Sequence, residues 1–294
     1  MLYKKHFFAA TMAAIIALPA FSQVKKTVAA KTTGEVIFFD DFAGNKLDRS
    51  KWTPIVTGFH TNGELQAYVD SANVISFANG AAAGGASNGA LVLSPMYSPG
   101  FKTFDGQTFD FISARLTTIN KFDFTYGTAE ARIKLVGADG LWPAWWMLGY
   151  PNWPAGGETD IMEFIGEADW VSAAVHGPGY SGETPFVNRL YFNKNNDATK
   201  WHTYAVDWTP QSLVFKYDGV PMFRVTKTMA QHYGNWVFTD KQYLILNFAV
   251  GGIYPFKING LKKPYYGLSE DALKLIKNHK AKMLVDWVKV TKKG

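Results

Sequence analysis

The amino-acid sequence predicts an all-β protein, built as a β-sandwich or a β-barrel. Short runs that alternate apolar with polar residues, and that are rich in β-branched and aromatic side chains, recur along the chain. Gly, Pro, Asn and Asp separate these runs, and almost no segment has helical periodicity. A parallel α/β fold would need a helix between successive strands, so the sequence excludes that class.

The strand pattern fits a series of short segments with turn residues between them. Asp139-Gly140 and Tyr217-Asp218-Gly219 are turn signals, because Asp and Gly favour the backbone angles of tight turns. In chain order, the predicted strands are residues 36–42, 90–94, 112–118, 128–135, 144–148, 160–164, 173–176, 202–208, 212–217, 242–249 and 282–291.

Three segments between the predicted strands have a different pattern. Residues 79–89 are rich in Gly and Ala, and residues 95–111 mix aromatic with polar side chains, so both are predicted to be long loops. Residues 269–277 are predicted to form a short surface helix. Ser269 is a favourable N-cap residue, acidic residues occupy the first turn, and basic residues occupy the last.

The composition excludes several classes of protein. The 294 residues include 22 Phe, 14 Tyr and 10 Trp, whereas disordered chains are poor in aromatic residues. The absence of cysteine excludes a disulfide scaffold, a thiolate zinc site and an iron–sulfur cluster. The formal charge of +6 comes from scattered Lys and Arg residues. We therefore expect a solvated surface and no nucleic-acid partner.

The N-terminal segment has the pattern of a signal peptide. Lys4 and Lys5 precede an apolar stretch over residues 7–18, and Ala20-Phe21-Ser22 supplies the small residues of a cleavage site. We expect residues 1–22 to be removed and the protein to be exported, either to the periplasm or out of the cell.

The remainder of the chain is predicted to contain one domain. Residues 23–34 are small and polar and resemble a spacer, and residues 35–294 show neither a second linker nor an internal repeat. No apolar run in this part approaches the roughly 20 residues that span a bilayer. We therefore expect no membrane association of the mature chain.

Three acidic residues, Glu158, Asp160 and Glu163, lie close together in a segment that is otherwise mostly apolar. On a helix, at about 100° per residue, Glu158 and Asp160 would point to nearly opposite sides. On a strand these two share a face, but Glu163 is five positions after Glu158 and has the wrong parity. A β-bulge near residues 161–162 would add one residue and return Glu163 to the shared face.

Carboxyl groups on one strand face suit the chemistry of a retaining glycosidase. Such enzymes use two carboxyl groups about 5–5.5 Å apart, one as nucleophile and one as acid/base, around an oxocarbenium-like transition state. A third acid between them orients the nucleophile and separates the two pKa values. The residues alone leave two alternatives open, namely ordinary acids on a solvated strand edge and a calcium site of clustered carboxylates.

The acidic segment Glu158-Thr159-Asp160-Ile161-Met162-Glu163 resembles the E-x-D-x-x-E signature of glycoside hydrolase family 16. Its bulged form is similar to that of laminarinases, which are endo-β-1,3-glucanases. The resemblance covers about residues 36–291 in seven blocks that follow the family's order. The other six blocks are FTYGTAEARIK (124–134), GLWPAWWMLG (140–149), HGP (176–178), WHTYAVDW (201–208), NFAVGG (247–252) and MLVDW (283–287).

This resemblance implies a concanavalin A-like β-jelly-roll sandwich with a substrate cleft across its concave sheet. It implies that Glu158 is the nucleophile, Asp160 the assisting acid and Glu163 the general acid/base of a double displacement. It further implies a β-glucan polysaccharide as the substrate and no cofactor for catalysis. We expect the protein to be a monomer.

Two tryptophans and a histidine are expected to surround the acids. Trp142 and Trp146 share a strand face, where their flat rings suit the C–H face of a sugar, although both are also candidates for the core. Trp145 has the opposite parity and is the better core candidate. His176 lies on the same strand face as Ser172 and Ala174, so it either reaches the acids or has a structural role.

The resemblance adds further binding residues. Arg115 lies in an S-x-R strand that binds a sugar hydroxyl in the family, with an ordinary salt bridge as the alternative. Asn62 and Glu64 lie in an N-x-E-L-Q segment at the far subsites, with a turn as the alternative, and Asn247 is a cleft amide. Asp286 stands at the position that holds a structural Ca²⁺ in many members.

Several activities share the acidic signature. The W-P-A-x-W-M-L and N-x-E-L-Q segments favour β-1,3-glucan over the alternatives of mixed-linkage β-glucan, agarose and carrageenan. No basic cluster lies near the acids in sequence to favour a sulfated polymer. A non-catalytic, lectin-like protein with the same fold is the alternative from another class. Such a protein would keep the tryptophans but would not need both Glu158 and Glu163.

Overall fold

A computed structural model describes residues 34–57 and 61–292 and confirms the all-β prediction. These residues form two antiparallel β-sheets, packed as a jelly-roll sandwich, and a third sheet of three strands. The predicted signal peptide, residues 1–22, and residues 23–33 of the predicted spacer lie outside the described residues. Within the described part, every helix is too short or too polar to cross a membrane.

The described residues contain eighteen β-strands and three α-helices. The strands are β1 (Glu35–Asp40), β2 (Thr53–Pro54), β3 (Gln66–Tyr68), β4 (Ile75–Ala78), β5 (Ala90–Leu93), β6 (Met96–Lys102), β7 (Thr108–Ser113), β8 (Arg115–Thr117), β9 (Gly127–Lys134), β10 (Leu141–Gly149), β11 (Glu158–Glu163), β12 (Trp170–His176), β13 (Phe186–Tyr191), β14 (His202–Thr209), β15 (Ser212–Tyr217), β16 (Val220–Thr226), β17 (Gln242–Val250) and β18 (Met283–Lys292). The helices are α1 (Lys227–Tyr233), α2 (Ile253–Asn259) and α3 (Glu270–Lys277), and a 3₁₀ turn spans Gly80–Ala83.

One hydrophobic core fills the space between the two large sheets. The eight-stranded sheet has the order β16-β15-β14-β9-β18-β5-β4, and β1 also pairs with β18. The seven-stranded sheet has the order β13-β12-β11-β10-β17-β8-β2. Trp145 and Phe248 of the seven-stranded sheet and Trp208 and Phe215 of the eight-stranded sheet are among the largest fully buried side chains. Trp145 is therefore a core residue, as its parity predicted.

Strand β17 lies near the middle of the seven-stranded sheet, between β10 and β8. All nine of its residues are buried. Leu244, Leu246 and Phe248 pack in the core, so the residues of opposite parity, including Asn247, face the other side of the sheet. That other side, which we call the cleft face, carries the acidic residues.

The prediction of a long loop over residues 95–111 is wrong. Strands β6 and β7 form an antiparallel hairpin there, and its register is irregular between Tyr97 and Phe101. Pro99 and Gly100 lie in the irregular part, where they interrupt the alternating pattern that marks a strand. The predicted strand 112–118 is divided between the end of β7 and all of β8.

The other predicted strands all overlap observed ones, and the predicted helix is confirmed as α3. The Ser269 side chain caps this helix by accepting a hydrogen bond from the Ala272 N–H at 3.1 Å. Sequence analysis missed strands β2, β3, β4, β6, β13 and β16 and helices α1 and α2. Most of these elements are too short or too exposed to carry a clear periodicity.

Candidate active site

Strand β11 carries the three acidic residues and contains the bulge that their spacing predicts. Its Cα partners on β12 are His176 for Glu158, Ala174 for Asp160 and Ser172 for Glu163. These partners alternate regularly along β12, so the three acids lie on one face, which is the cleft face. On the other side, Asp160 pairs with Trp146 and Met162 pairs with Trp145. Ile161 is therefore the extra residue of the bulge.

His176 and Trp142 contact the acids from two sides. His176 Nε2 lies 3.4 Å from Asp160 Oδ2 and 3.8 Å from Glu158 Oε1. The Trp142 indole N–H donates a 3.1 Å hydrogen bond to Glu163 Oε1. Trp142 is only 8% exposed and packs edge-to-face against Tyr254. In this structure Trp142 therefore positions Glu163 and offers little ring surface for the sugar stacking that its sequence position suggested.

Burial and mutual repulsion raise the pKa of the clustered carboxyl groups. Burial is the largest cause for Glu163, and together with the charge of Asp160 it raises the pKa to about 8. Burial and Asp160 also raise the pKa of Glu158, while the charge interactions with His176 and, more weakly, Arg115 oppose that rise. Burial raises the pKa of Asp160 as well. The cluster therefore retains a proton near neutral pH, as a catalytic acid requires.

Because Asp160 is buried, we expect the substitution Asp160→Asn to raise the melting temperature of the protein at pH 8 and to change it little at pH 5. An acid whose pKa is raised by folding binds more protons in the native state than in the unfolded state. For Asp160 this difference exists at pH values between its ordinary pKa of about 4 and its native pKa of about 8. Stability therefore falls as the pH rises through this interval, and the uncharged amide avoids that loss.

We expect the gain at pH 8 to be about 3–5 °C, measured by scanning fluorimetry. Asp169 is exposed, so Asp169→Asn is the matched control and should leave the melting temperature unchanged at both pH 5 and pH 8. A melting temperature for Asp160→Asn that falls at pH 8 would contradict the explanation.

A chain of hydrogen bonds runs from β10 through β17 to β3 and Glu64. The Trp146 indole N–H donates to Asn247 Oδ1 at 2.7 Å, and Asn247 Nδ2 donates to the Tyr68 hydroxyl at 2.9 Å. The Tyr68 hydroxyl donates in turn to Glu64 Oε2 at 3.2 Å. The Arg115 guanidinium lies over the Trp146 ring, 4.8 Å from its centroid. The structure therefore brings together four of the residues predicted to bind sugar.

Asn62 and Glu64 differ in their surroundings. Glu64 is buried, which raises its pKa, and its Oε2 also accepts a 2.7 Å hydrogen bond from Gln66 Nε2. Asn62 is exposed with a left-handed backbone φ of 53°, and its carbonyl accepts a hydrogen bond from the Ile253 N–H. These features fit the turn that sequence analysis kept as the alternative for Asn62.

Sequence analysis missed three aromatic residues of the site, Tyr68, Tyr254 and Trp153. The Tyr254 hydroxyl lies 3.0 Å from Ser172 Oγ. Trp153 is 50% exposed, and its ring centroid lies 6.1 Å from that of His176. For Tyr254 and Trp153, the signal that the sequence offered was closeness to a segment that resembles the family. Tyr254 follows the NFAVGG segment, and Trp153 precedes the acidic segment that begins at Glu158.

The acids do not fit the calcium site that was the alternative to catalysis. One ligand atom from each of Glu158, Asp160 and His176 lies within 4.8 Å of the others. Calcium takes oxygen ligands, whereas one donor of this group is an imidazole nitrogen.

The surroundings of Asp286 do not fit a calcium ion either. This side chain is fully buried in β18, where its Oδ1 accepts a 2.7 Å hydrogen bond from the Ser87 N–H and its Oδ2 a 3.0 Å bond from the Ser87 hydroxyl. The Arg132 guanidinium also forms an ion pair with Oδ2. Both oxygens already accept hydrogen bonds, and the guanidinium would repel a second cation. These contacts favour a structural ion pair with Arg132 over a calcium ligand at Asp286.

Arg132→Met is expected to lower the free energy of unfolding by about 3 kcal/mol, because it leaves the carboxylate of Asp286 buried without its cation. Denaturant unfolding measures this change. Lys289→Met is the matched control on the same sheet, since its ion pair with Glu130 is more exposed and should contribute less than about 1 kcal/mol. Neither EDTA nor CaCl₂ should change the melting temperature of the unaltered protein. A rise of several degrees with CaCl₂ would contradict our assignment of Asp286.

Comparison with known proteins identifies a matching family model and similar solved structures. The model described as glycosyl hydrolases family 16 matches residues 86–254. The endo-β-1,3-glucanase from Pyrococcus furiosus superposes with a TM-score of 0.74 at 31% sequence identity, covering 88% of this chain and 94% of that one.

Two further proteins are similar to this chain in sequence. A β-glucanase of Rhodothermus marinus is 31% identical over 233 residues, which are 75% of this chain and 77% of the relative. Glucan endo-1,3-β-glucosidase A1 of Niallia circulans is 31% identical over 244 residues, which are 74% of this chain. The match spans only 34% of the Niallia protein, so it concerns about a third of that longer chain.

Proposed function

Because the chain belongs to glycosyl hydrolase family 16, we propose that it cleaves the β-1,3-linkages of laminarin-type glucans with retention of anomeric configuration. Two observations support this substrate. The similar solved structure from Pyrococcus furiosus is an endo-β-1,3-glucanase, and the Niallia circulans relative is a glucan endo-1,3-β-glucosidase. The proposal depends above all on the bulge at Ile161, which presents Glu158 and Glu163 on one face.

In the first step, the Glu158 carboxylate attacks the anomeric carbon of the sugar, and the bond from that carbon to the glycosidic oxygen breaks. In this proposal Glu163, whose burial raises its pKa, holds the proton that the acidic cluster retains and transfers it to the departing oxygen. The products of this step are a glycosyl ester on Glu158, the shortened leaving chain and an ionised Glu163.

In the second step, Glu163 acts as a base. It removes a proton from a water molecule, whose oxygen attacks the anomeric carbon and breaks the ester bond to Glu158. The sugar leaves with its original anomeric configuration, and both carboxyl groups return to their starting protonation states. None of these steps requires a cofactor.

The neighbouring residues have defined roles in this mechanism. Asp160, 3.4 Å from the imidazole of His176, assists by orienting Glu158. The indole N–H of Trp142 holds Glu163. Arg115, Trp146, Asn247 and Glu64 bind the sugar chain beside the acids in this proposal.

The test is a panel of polysaccharides. Purified protein is incubated with laminarin, mixed-linkage β-glucan, agarose and carrageenan, and the products are sized by chromatography. We expect laminarin to be hydrolysed fastest, and the first product observed by NMR to be the β-anomer. An α-anomer would contradict retention, and binding of laminarin without new reducing ends would favour the lectin-like alternative.

We further propose that the protein is exported and acts as a monomer on polysaccharide outside the cytoplasm. The support for export is the pattern of residues 1–22. Mass spectrometry of the protein recovered from its source tests this, with a mature chain beginning at Gln23 as the expected result.

A further inference from the structure

Helix α2 covers the cleft face at the end of β11 that carries Glu163. The helix follows β17, whose last residues pair with the first residues of β10. From α2, Tyr254 contacts Trp142 of β10 and reaches Ser172 of β12, which is the Cα partner of Glu163. Helix α2 therefore forms one side of the cleft.

The loop of residues 177–185 lies at the opposite end of β11. It follows His176, the Cα partner of Glu158. Within this loop, a Cβ atom at Gly182 would lie 3.9 Å from the ring of Trp153, and Trp153 packs beside His176. This loop therefore forms the other side of the cleft.

An ion pair connects the two sides. Lys257 Nζ of α2 contacts Glu183 Oε2 of the loop. The six residues of β11 separate its two ends by about 17 Å, and the ion pair joins the element at one end to the element at the other. Between these ends, Ser172 and Ala174 of β12 lie on the cleft face, with Arg189 of β13 beside Ser172.

We propose that the Lys257–Glu183 ion pair closes the cleft above β12 into a short covered passage that retains long polysaccharide chains. The proposal rests on the proposed function, because it concerns how that substrate is held. A chain in an open cleft can leave sideways, whereas a covered chain must slide along its own axis or wait until the ion pair opens. The side chains of Lys257 and Glu183 are 44% and 77% exposed, and exposed ion pairs are weak. The passage therefore opens often enough for a chain to enter.

The test compares a polymer with a short substrate in variants that keep side-chain size. Lys257→Met and Glu183→Gln each remove one charge, and the double variant Lys257→Glu/Glu183→Lys restores the pair with reversed polarity. Lys262→Met, at an exposed lysine beyond α2, is the matched control. Two ratios are measured. The first is kcat/KM on laminarin divided by kcat/KM on laminaritriose. The second is obtained with insoluble β-1,3-glucan as the substrate, and it is the number of reducing ends released into solution divided by the number left on the solid.

Each single variant should lower both ratios about two- to fivefold, which is the factor that an exposed ion pair typically contributes. The double variant and Lys262→Met should match the unaltered protein, and kcat/KM on laminaritriose should stay unchanged throughout. Added NaCl at 0.5 M should lower the ratios of the unaltered protein but not those of the single variants.

Equal changes on polymer and trisaccharide, or a double variant that stays as low as the single ones, would overturn the proposal. Inactivity of the unaltered protein on every β-1,3-glucan would instead refute the proposed substrate. The same two ratios on the polymer that the panel identifies would then still decide whether the ion pair retains long chains.

Discussion

Glu158→Gln should lower kcat on laminarin by about 10⁴-fold or more, because the amide cannot form the ester intermediate. The glutamine side chain has nearly the same shape as glutamate, so the cleft should keep its form. Calorimetric titration with a laminari-oligosaccharide should give a Kd within about tenfold of the unaltered protein. Loss of turnover together with retained binding would identify Glu158 as a reacting group.

A smaller side chain sharpens this test. Glu158→Gly leaves space in which formate or azide can act as an external nucleophile, and its activity on an activated aryl glucoside should rise with the added anion. Glu130→Gln, on the opposite sheet, is the control and should keep full activity. Full activity of Glu158→Gln would reject the assignment of the nucleophile.

Glu163→Gln should lower kcat/KM on laminarin by about 10²- to 10⁴-fold, the range that a general acid contributes. The loss should be much smaller for a dinitrophenyl glucoside, since its leaving group departs without being protonated. The dependence on the leaving group separates Glu163 from Glu158, because the nucleophile is needed for both substrates. Steady-state kinetics on the two substrates measures this difference.

The pH dependence gives an independent test of Glu163. Burial raises the pKa of Glu163 to about 8, and it raises those of Glu158 and Asp160 into the same range. Activity on laminarin should therefore fall as the pH rises through about 8 and the cluster loses the proton that Glu163 donates. In Glu163→Gln this alkaline decline should disappear from the residual activity. A decline that persists unchanged would assign the acid to another residue of the cluster.

The acidic site could be predicted because its information is local. The parity of Glu158, Asp160 and Glu163 along one strand required an extra residue, and the bulge at Ile161 supplies it. The same reasoning placed Trp145 in the core and put His176 on a strand face from which it could reach the acids, where the structure now places it. Each of these predictions needs only the two-residue period of a strand.

The contacts that sequence analysis missed join residues far apart in the chain. Arg132 and Asp286 are distant in sequence, and only the pairing of β9 with β18 brings them together. Tyr68 and Asn247 are likewise far apart in the sequence and meet only because the three-stranded sheet packs near β17. Sequence analysis missed the β6–β7 hairpin for a different reason. Pro99-Gly100 interrupts the alternation of apolar and polar residues in β6, although β6 stays paired with β7 on both sides of the interruption.

Strand β18 has a consequence for how the protein acquires its fold. It comes after the other described strands in chain order, yet it lies inside the eight-stranded sheet, with β9 on one side and β5 and β1 on the other. Glu35 pairs with Lys292, so the sheet is complete only after synthesis has passed residue 292. Closing such long loops is slow, and until then the edges of β9 and β5 are open to other chains. Deleting residues 283–292 should therefore produce insoluble protein rather than a slightly weakened enzyme.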